Sequence, residues 1–198
     1  LKSIVSNQIQ EDDLYYRYSI YSKLFGEYKS FNYDSSFMYV SEMLKISYAI
    51  KNPELIADAK INMSFVLLSS GLFRESLDTL LSLNPDDLAI TVQVKYYQTL
   101  NRAWIDFADY SQDNFYSNVY NENGNYTLKK AIALADSTSR EFNFLNGLYN
   151  LRNHNWENSK YYYTQLMNTP NLPLQEEAVI TSSLAHVYRA MGDIDKSV

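Results

Sequence analysis

The chain has 198 residues, 46% of them hydrophobic, with a formal net charge of −6 and a pI of about 4.9. That length and apolar content suit one packed domain or a short repeat array and exclude global disorder. Seventeen Lys and Arg spread along the chain, with no run sharper than Lys129-Lys130, do not make the basic face that duplex DNA requires; the lack of cysteine excludes disulfides, thiolate zinc sites and cysteine catalysis within the chain.

Apolar residues recur every three to four positions and show no sustained alternation, so an all-α fold is expected. The first helix is expected over 11–29, opened by Glu11-Asp12-Asp13, whose charges suit a helix N-terminus. A second is expected over 34–51 and a third over 53–70, where Asn52-Pro53-Glu54 supplies a cap, a first-turn proline and an acid. Gly71 turns the chain into a fourth helix, 72–83. Asn84-Pro85-Asp86-Asp87 opens a fifth, 86–110, with an apolar stripe of Ile90, Val94, Tyr97, Leu100 or Asn101, Trp104 and Phe107. The polar, Asn-rich stretch SQDNFYSNVYNENGN, 111–125, is expected to be the one long irregular insert. Helices follow at 126–136, 138–153 and 155–168, the last striped by Trp156, Ser159, Tyr163 and Leu166. Pro170 and Pro173 precede a helix over 174–191; Gly192 turns, and a further helix starts at 193. No run of 18 apolar residues exists to span a membrane.

These helices pair. LAHVYRAMGDIDKS aligns with MSFVLLSSGLFRES: Leu184 falls on Met63, Ala185 on Ser64, Tyr188 on Leu67, Gly192 on Gly71, Ile194 on Phe73 and Ser197 on Ser76. LFGEYKSFNYDSS is a third copy with one extra turn residue and Phe25 at a small position; GLYNLRNHNWENS is a fourth, through Gly147, Trp156 and Ser159. Small residues let two helices approach, and an aromatic after the turn plugs the junction; Trp156 is expected to do this against Gly147. The pattern resembles the tetratricopeptide repeat, a helix–turn–helix unit of about 34 residues. The expected fold is therefore an all-α, tetratricopeptide-like right-handed superhelix of about five antiparallel helix pairs, a single domain over 1–198, monomeric or weakly dimeric. Equivalent serines 40 residues apart, Ser36 and Ser76, make the array irregular. An interior repeat buries both faces, so a repeat that stops two turns into its second helix leads us to expect further chain beyond Val198.

Chemistry is sparse. His154 sits in a turn where Gly or Asn would serve, and His186 and Arg189 share a helix surface. No His-x-x-x-His or acidic–His spacing suggests a metal site, so no metal or other cofactor is expected. Glu11-Asp12-Asp13 and Asp86-Asp87 open helices, where dipole compensation explains them. No GxGxxG, P-loop or GxSxG occurs, and no catalytic residues are assigned. The 19 Tyr are read as half-buried rings between helices, or for a few as stacking platforms.

Four stretches, GEYKSFNYDSSFMYVSEML, AKINMSFVLLSSGLFRESLDTL, FADYSQDNFYSNVYNENGNYTLKKAIAL and LRNHNWENSKYYYTQL, together resemble a Bacteroidetes family labelled as transcriptional regulators. The resemblance covers nearly the whole chain. It implies a secretion signal ahead of a tetratricopeptide-like domain, a single membrane helix after it, and a cytoplasmic segment beyond. The expected role is an extracytoplasmic sensor or interaction domain in the periplasm or cell envelope, with no catalytic residues.

Repeat curvature makes a groove lined by the first helix of each pair. By the alignment its lining includes Asn62, Phe65, Tyr97, Asn101, Phe144, Arg152, His186 and Arg189. Protein or peptide is the expected partner, with no direct nucleic-acid contact by this portion. The alternative is a glycan-capturing surface lipoprotein of the gut-bacterial type, with tyrosines as sugar platforms.

Overall fold

The computed structural model describes residues 11–111, 113–193 and 195, with side chains from residue 13 on. Those residues are all-helical, with no strand among them. The elements are α1 (Glu11–Tyr28), α2 (Tyr33–Ile50), α3 (Pro53–Ser69), α4 (Phe73–Leu81), a 3-10 turn (Pro85–Asp87), α5 (Ile90–Ser111), α6 (Asn114–Leu134), α7 (Arg140–Arg152), α8 (Trp156–Met167) and α9 (Leu174–Ala190). The expected start of a helix at 193, and the alignment onto Ile194 and Ser197, fall largely outside the described residues.

Helix starts follow the cap chemistry. Asn52 Oδ1 accepts from the amides of Glu54 and Leu55, at 2.9 and 3.2 Å, and Pro53 occupies the first turn of α3. Asn84 instead caps the short 3-10 turn, and α5 begins only at Ile90, four residues later than expected. The Asn-rich stretch, expected to be irregular, is helical from Asn114 onward. Two features account for that. Asp113 Oδ1 caps the amides of Phe115 and Tyr116 at 3.0 Å. Tyr116, Tyr120, Gly124 and Leu128 then recur every four residues, a helical stripe inside the polar sequence.

The chain divides into two compact units, one up to Gly124 and one from Asn125. In the first, α1 packs on α2, α2 on α3, α3 on α4, and α5 against both α3 and α4. Its core has two clusters, one of Tyr18, Phe25, Val40, Met43, Ile46, Ala59 and Val66 and one around Ile61, Leu68, Leu80, Tyr96 and Leu100. In the second unit α8 packs between α7 and α9 over Tyr163, Leu166 and Ile180.

One device recurs within both units. Gly71, His154 and Gly192 turn the chain in the left-handed region, at φ 79°, 56° and 82°. After each, an amide reaches back five residues to a carbonyl: Leu72 to Leu67, Asn155 to Asn150 and Asp193 to Tyr188. Seven residues before the first two turns sit Ser64 and Gly147; five after sit Ser76 and Ser159. Ser76 Oγ donates to the Ser64 carbonyl at 3.0 Å and Ser159 Oγ to the Gly147 carbonyl at 3.0 Å, all four residues buried. Small side chains thus bring paired helices close enough for a hydroxyl to cross.

The expected plug is corrected. The residue against Gly147 is Tyr163, whose ring would lie 2.7 Å from an added Cβ. Trp156 is only half-buried and sits edge-on between His154 and His186, at centroid distances of 5.1 and 6.0 Å. The first residue of α8 lies at the rim of the junction, whereas Tyr163, two turns in, reaches its centre.

Candidate functional site

The first helices of the repeats in the first unit are α1, α3 and α5, and they meet in a constant register. Asn52 reaches Tyr15, Tyr18 reaches Leu55, and Lys95 reaches Asp58, in each case across 37 residues. Arg102 lies over Phe65 at the same separation, its guanidinium carbon 4.5 Å from the ring centroid. Positions seven apart share a helix face, so Asp58 and Phe65 on α3 look toward Lys95 and Arg102 on α5. The irregular spacing of 40 between the serines belongs to the second helices; the first helices repeat evenly.

One end of this face is closed by its own polar groups. Asp58 Oδ2 accepts from the Tyr18 hydroxyl at 2.7 Å and from Asn62 Nδ2 at 3.2 Å, while Oδ1 pairs with Lys95 Nζ. Burial, then the Asp58 charge and hydrogen bond, hold the Tyr18 phenol well above the usual tyrosine range. The network ties three helices together and leaves little for a ligand.

The other end is open. A cavity of about 400 Å³ lies between the α1–α2 turn, the last turns of α3, and Arg102. Its lining includes Lys29, Phe31, Tyr33, Phe65, Ser69 and Arg102. Lys29 Nζ stands 5.7 Å from the Phe65 centroid, so both cations engage that ring. Arg102 is oriented by Asp106, 3.3 Å from Nε, and by the Ser69 hydroxyl, 3.3 Å from Nη2. Phe31 and Tyr33 are exposed at the rim, 71% and 42%.

The eight groove residues expected from the sequence separate. Phe65 lines the cavity. Asn62 is buried and serves Asp58. Asn101 is 2% exposed, and its amide donates to the Gly124 carbonyl at 2.8 Å, so it anchors α6 and offers a ligand no surface. Tyr97 packs half-buried against the core beside Tyr96. In the second unit Phe144 is half-buried edge-on to Tyr163, and Arg152 is half-buried; His186 and Arg189 are exposed on α9, His186 against Trp156. The alignment places Tyr97 and Asn101 in the groove, whereas on α5 Tyr97 packs against the core and Asn101 is buried. Lys29, Asp58, Lys95 and Arg102 were not singled out by sequence. Opposite charges 37 residues apart, Asp58 and Lys95, were the available signal.

Among the described residues no group of three His, Asp or Glu is placed to hold a metal ion, and no helix is long and apolar enough to cross a membrane. A comparison with curated proteins finds no match. The family described as the SusR N-terminal TPR domain matches residues 1–198. With left-handed turns, crossing serine hydroxyls and helix pairs of tetratricopeptide type along the same residues, the chain belongs to the SusR N-terminal TPR domain family.

Proposed function

We propose that this domain is the ligand-sensing part of a membrane-anchored regulator, that it works outside the cytoplasmic membrane, and that it binds protein or peptide without catalysing a reaction. The coarse part of this reading, a helical-repeat interaction scaffold, comes with the family. The observation that supports ligand binding is the open end of the α1–α3–α5 face, where a preformed cavity presents an aromatic ring flanked by two cations; the place outside the membrane and the anchor rest on the family resemblance alone. The acidic balance of the chain disfavours direct DNA binding, so transcriptional control belongs to another part of the protein. Relay requires that the ligand prefer one conformation of the repeats over another. His186 and Arg189, exposed on α9, remain a second contact candidate.

The test is capture from envelope extract by immobilised wild-type domain, by Arg102→Gln, and by the His186→Ala/Arg189→Ala pair. A defined polypeptide whose recovery falls with one of the two variants supports the reading and says which face holds it. Equal recovery with all three rejects both faces. Retention of a defined DNA fragment by the isolated domain at physiological salt rejects the division of labour.

A glycan-capturing surface lipoprotein is the second reading. It is favoured by the run Trp104, Tyr120 and Tyr116, near-parallel at 20° and 26°, with Tyr116 55% exposed. Calorimetric titration with oligosaccharides, repeated with Tyr116→Ala, separates it from the first.

A further inference from the structure

We infer that the exposed aromatic shelf at the α5–α6 turn docks a basic segment of a polypeptide, with Lys or Arg side chains lying on the rings of Tyr110, Phe115 and Tyr116 and pairing with the carboxylates of Asp109 and Asp113. This rests on the peptide-binding reading above and names the chemistry of the partner. The rings form one continuous run. Phe73, at the start of α4, contacts Phe107 and Tyr110 of α5, with centroids 5.7 and 5.2 Å apart. Phe107 contacts Tyr120 of α6 at 5.4 Å, Tyr120 contacts Tyr116 at 6.3 Å, and Tyr116 meets Phe115 at 5.3 Å. Phe73, Phe107 and Tyr120 are half-buried and support the outer rings, which are 72% (Tyr110), 71% (Phe115) and 55% (Tyr116) exposed. A contiguous exposed apolar surface of this kind marks an interaction site.

Charge decides the occupant. Between Arg102 and Lys129 the sequence carries four acids, Asp106, Asp109, Asp113 and Glu122, and no Lys or Arg. Asp106 is engaged by Arg102. Asp109 and Asp113 are exposed and, among the described residues, stand in no ion pair. Asp113 caps α6 with Oδ1 alone, through the amides of Phe115 and Tyr116, so Oδ2 is left for a ligand. Elsewhere the protein covers its rings with its own cations: Lys29 and Arg102 on Phe65, Lys129 on Tyr149, Lys130 on Tyr126 and Lys160 on Tyr188. Among the described residues no cation lies over a ring of the shelf. A cation from a partner supplies that missing contact, and the two carboxylates attract it and hold it there. An acidic segment is repelled by the same pair, and a neutral one gains nothing from it.

The test uses fluorescence anisotropy with two labelled peptides, one alternating Arg with Ser and Leu, the other its Gln-for-Arg twin. The basic peptide is expected to bind roughly tenfold or more tightly than its twin, and to weaken as salt rises. Tyr110→Ala/Phe115→Ala, which leaves every charge in place, is expected to remove most of that preference. Asp109→Asn/Asp113→Asn, which keeps a side-chain oxygen to cap α6, is expected to do the same. Glu157→Gln/Glu177→Gln removes two charges from exposed sites on α8 and α9 and is expected to leave the preference unchanged. Equal affinity for the two peptides, a preference that survives either shelf variant or falls as far in the α8–α9 control, or no binding of the basic peptide below about 1 mM overturns the shelf as a basic-segment site. Binding of a neutral oligosaccharide in place of the peptide, lost in Tyr110→Ala/Phe115→Ala, overturns it in favour of a sugar platform. If the shelf fails while envelope capture still yields a polypeptide, the peptide-binding reading stands at another place; if the captures are empty too, both fall.

Discussion

His154 holds a left-handed backbone conformation, φ 56°, at the position that Gly71 and Gly192 fill at the equivalent turns. A side chain there costs about 1–2 kcal/mol, offset in part by the ring contact with Trp156 at 5.1 Å. His154→Gly is therefore expected to raise stability by about 0.5–1 kcal/mol, read as a higher urea midpoint; a lower one would show that the ring contact outweighs the strain. At Gly147 the sign reverses. An added methyl would sit 2.7–3.0 Å from three ring atoms of Tyr163, a residue only 1% exposed that has no room to withdraw. Gly147→Ala is expected to destabilise by about 1–3 kcal/mol despite the better helix propensity of alanine. Tyr163→Ala should cost more than Trp156→Ala in the same assay, because the tryptophan is half in solvent. The sequence showed that an aromatic closes this junction. It did not show which one, since Trp156 and Tyr163 stand seven apart on one face and only their depth differs.

At the scale of the element, the close approach of α3 and α4 depends on Ser64 and Ser76, whose hydroxyls each reach the other's carbonyl, at 3.3 and 3.0 Å. Ser76→Ala keeps the space and loses one bond, for about 1 kcal/mol. Ser76→Leu must push the helices apart and is expected to cost about 1–3 kcal/mol more, a graded pair of melts that a merely polar role for the serine would not produce. The cap of α3 is similarly separable: Asn52→Ala removes two amide partners and is expected to lower stability by about 1 kcal/mol. Most element boundaries were legible because Asn-Pro starts and glycine turns act locally. The α6 segment was not. Its asparagines and Gly124 read as loop, whereas Gly124 is the point where α6 presses on Ile105 of α5, an added Cβ falling 2.7 Å away. A glycine demanded by contact and one demanded by a turn look alike in sequence.

For the molecule as a whole, buried phenols set an alkaline limit. Burial pushes the Tyr163 hydroxyl up to about 12 from 10.0, and raises Tyr18 and Tyr96 as well. A group whose folded pKa exceeds its unfolded value contributes stability that is intact below the unfolded value and lost as pH rises toward the folded one. Between pH 10 and 12 the unfolded chain releases the Tyr163 proton while the folded state keeps it, so stability falls by about 1.4 kcal/mol per pH unit for this residue. Urea melts across that range are expected to show a steep loss in the parent and a shallower one in Tyr163→Phe. An unchanged slope would mean that Tyr163 ionises freely in the folded domain.

The sequence by itself determined the helical class, the turns at Gly71 and Gly192, and the small residues twelve apart that pair the helices. Each of these is written within a few turns of chain, where hydrogen-bond geometry and side-chain size act directly. Tertiary structure alone decided that Tyr163 and not Trp156 fills the gap beside Gly147, and that Lys29 and Arg102 meet on Phe65. The first depends on how α8 seats on α7, the second on the register in which α1, α3 and α5 pack. That register is set by the summed fit of many buried side chains, so residues 37 apart become neighbours with no local mark in the sequence to announce it.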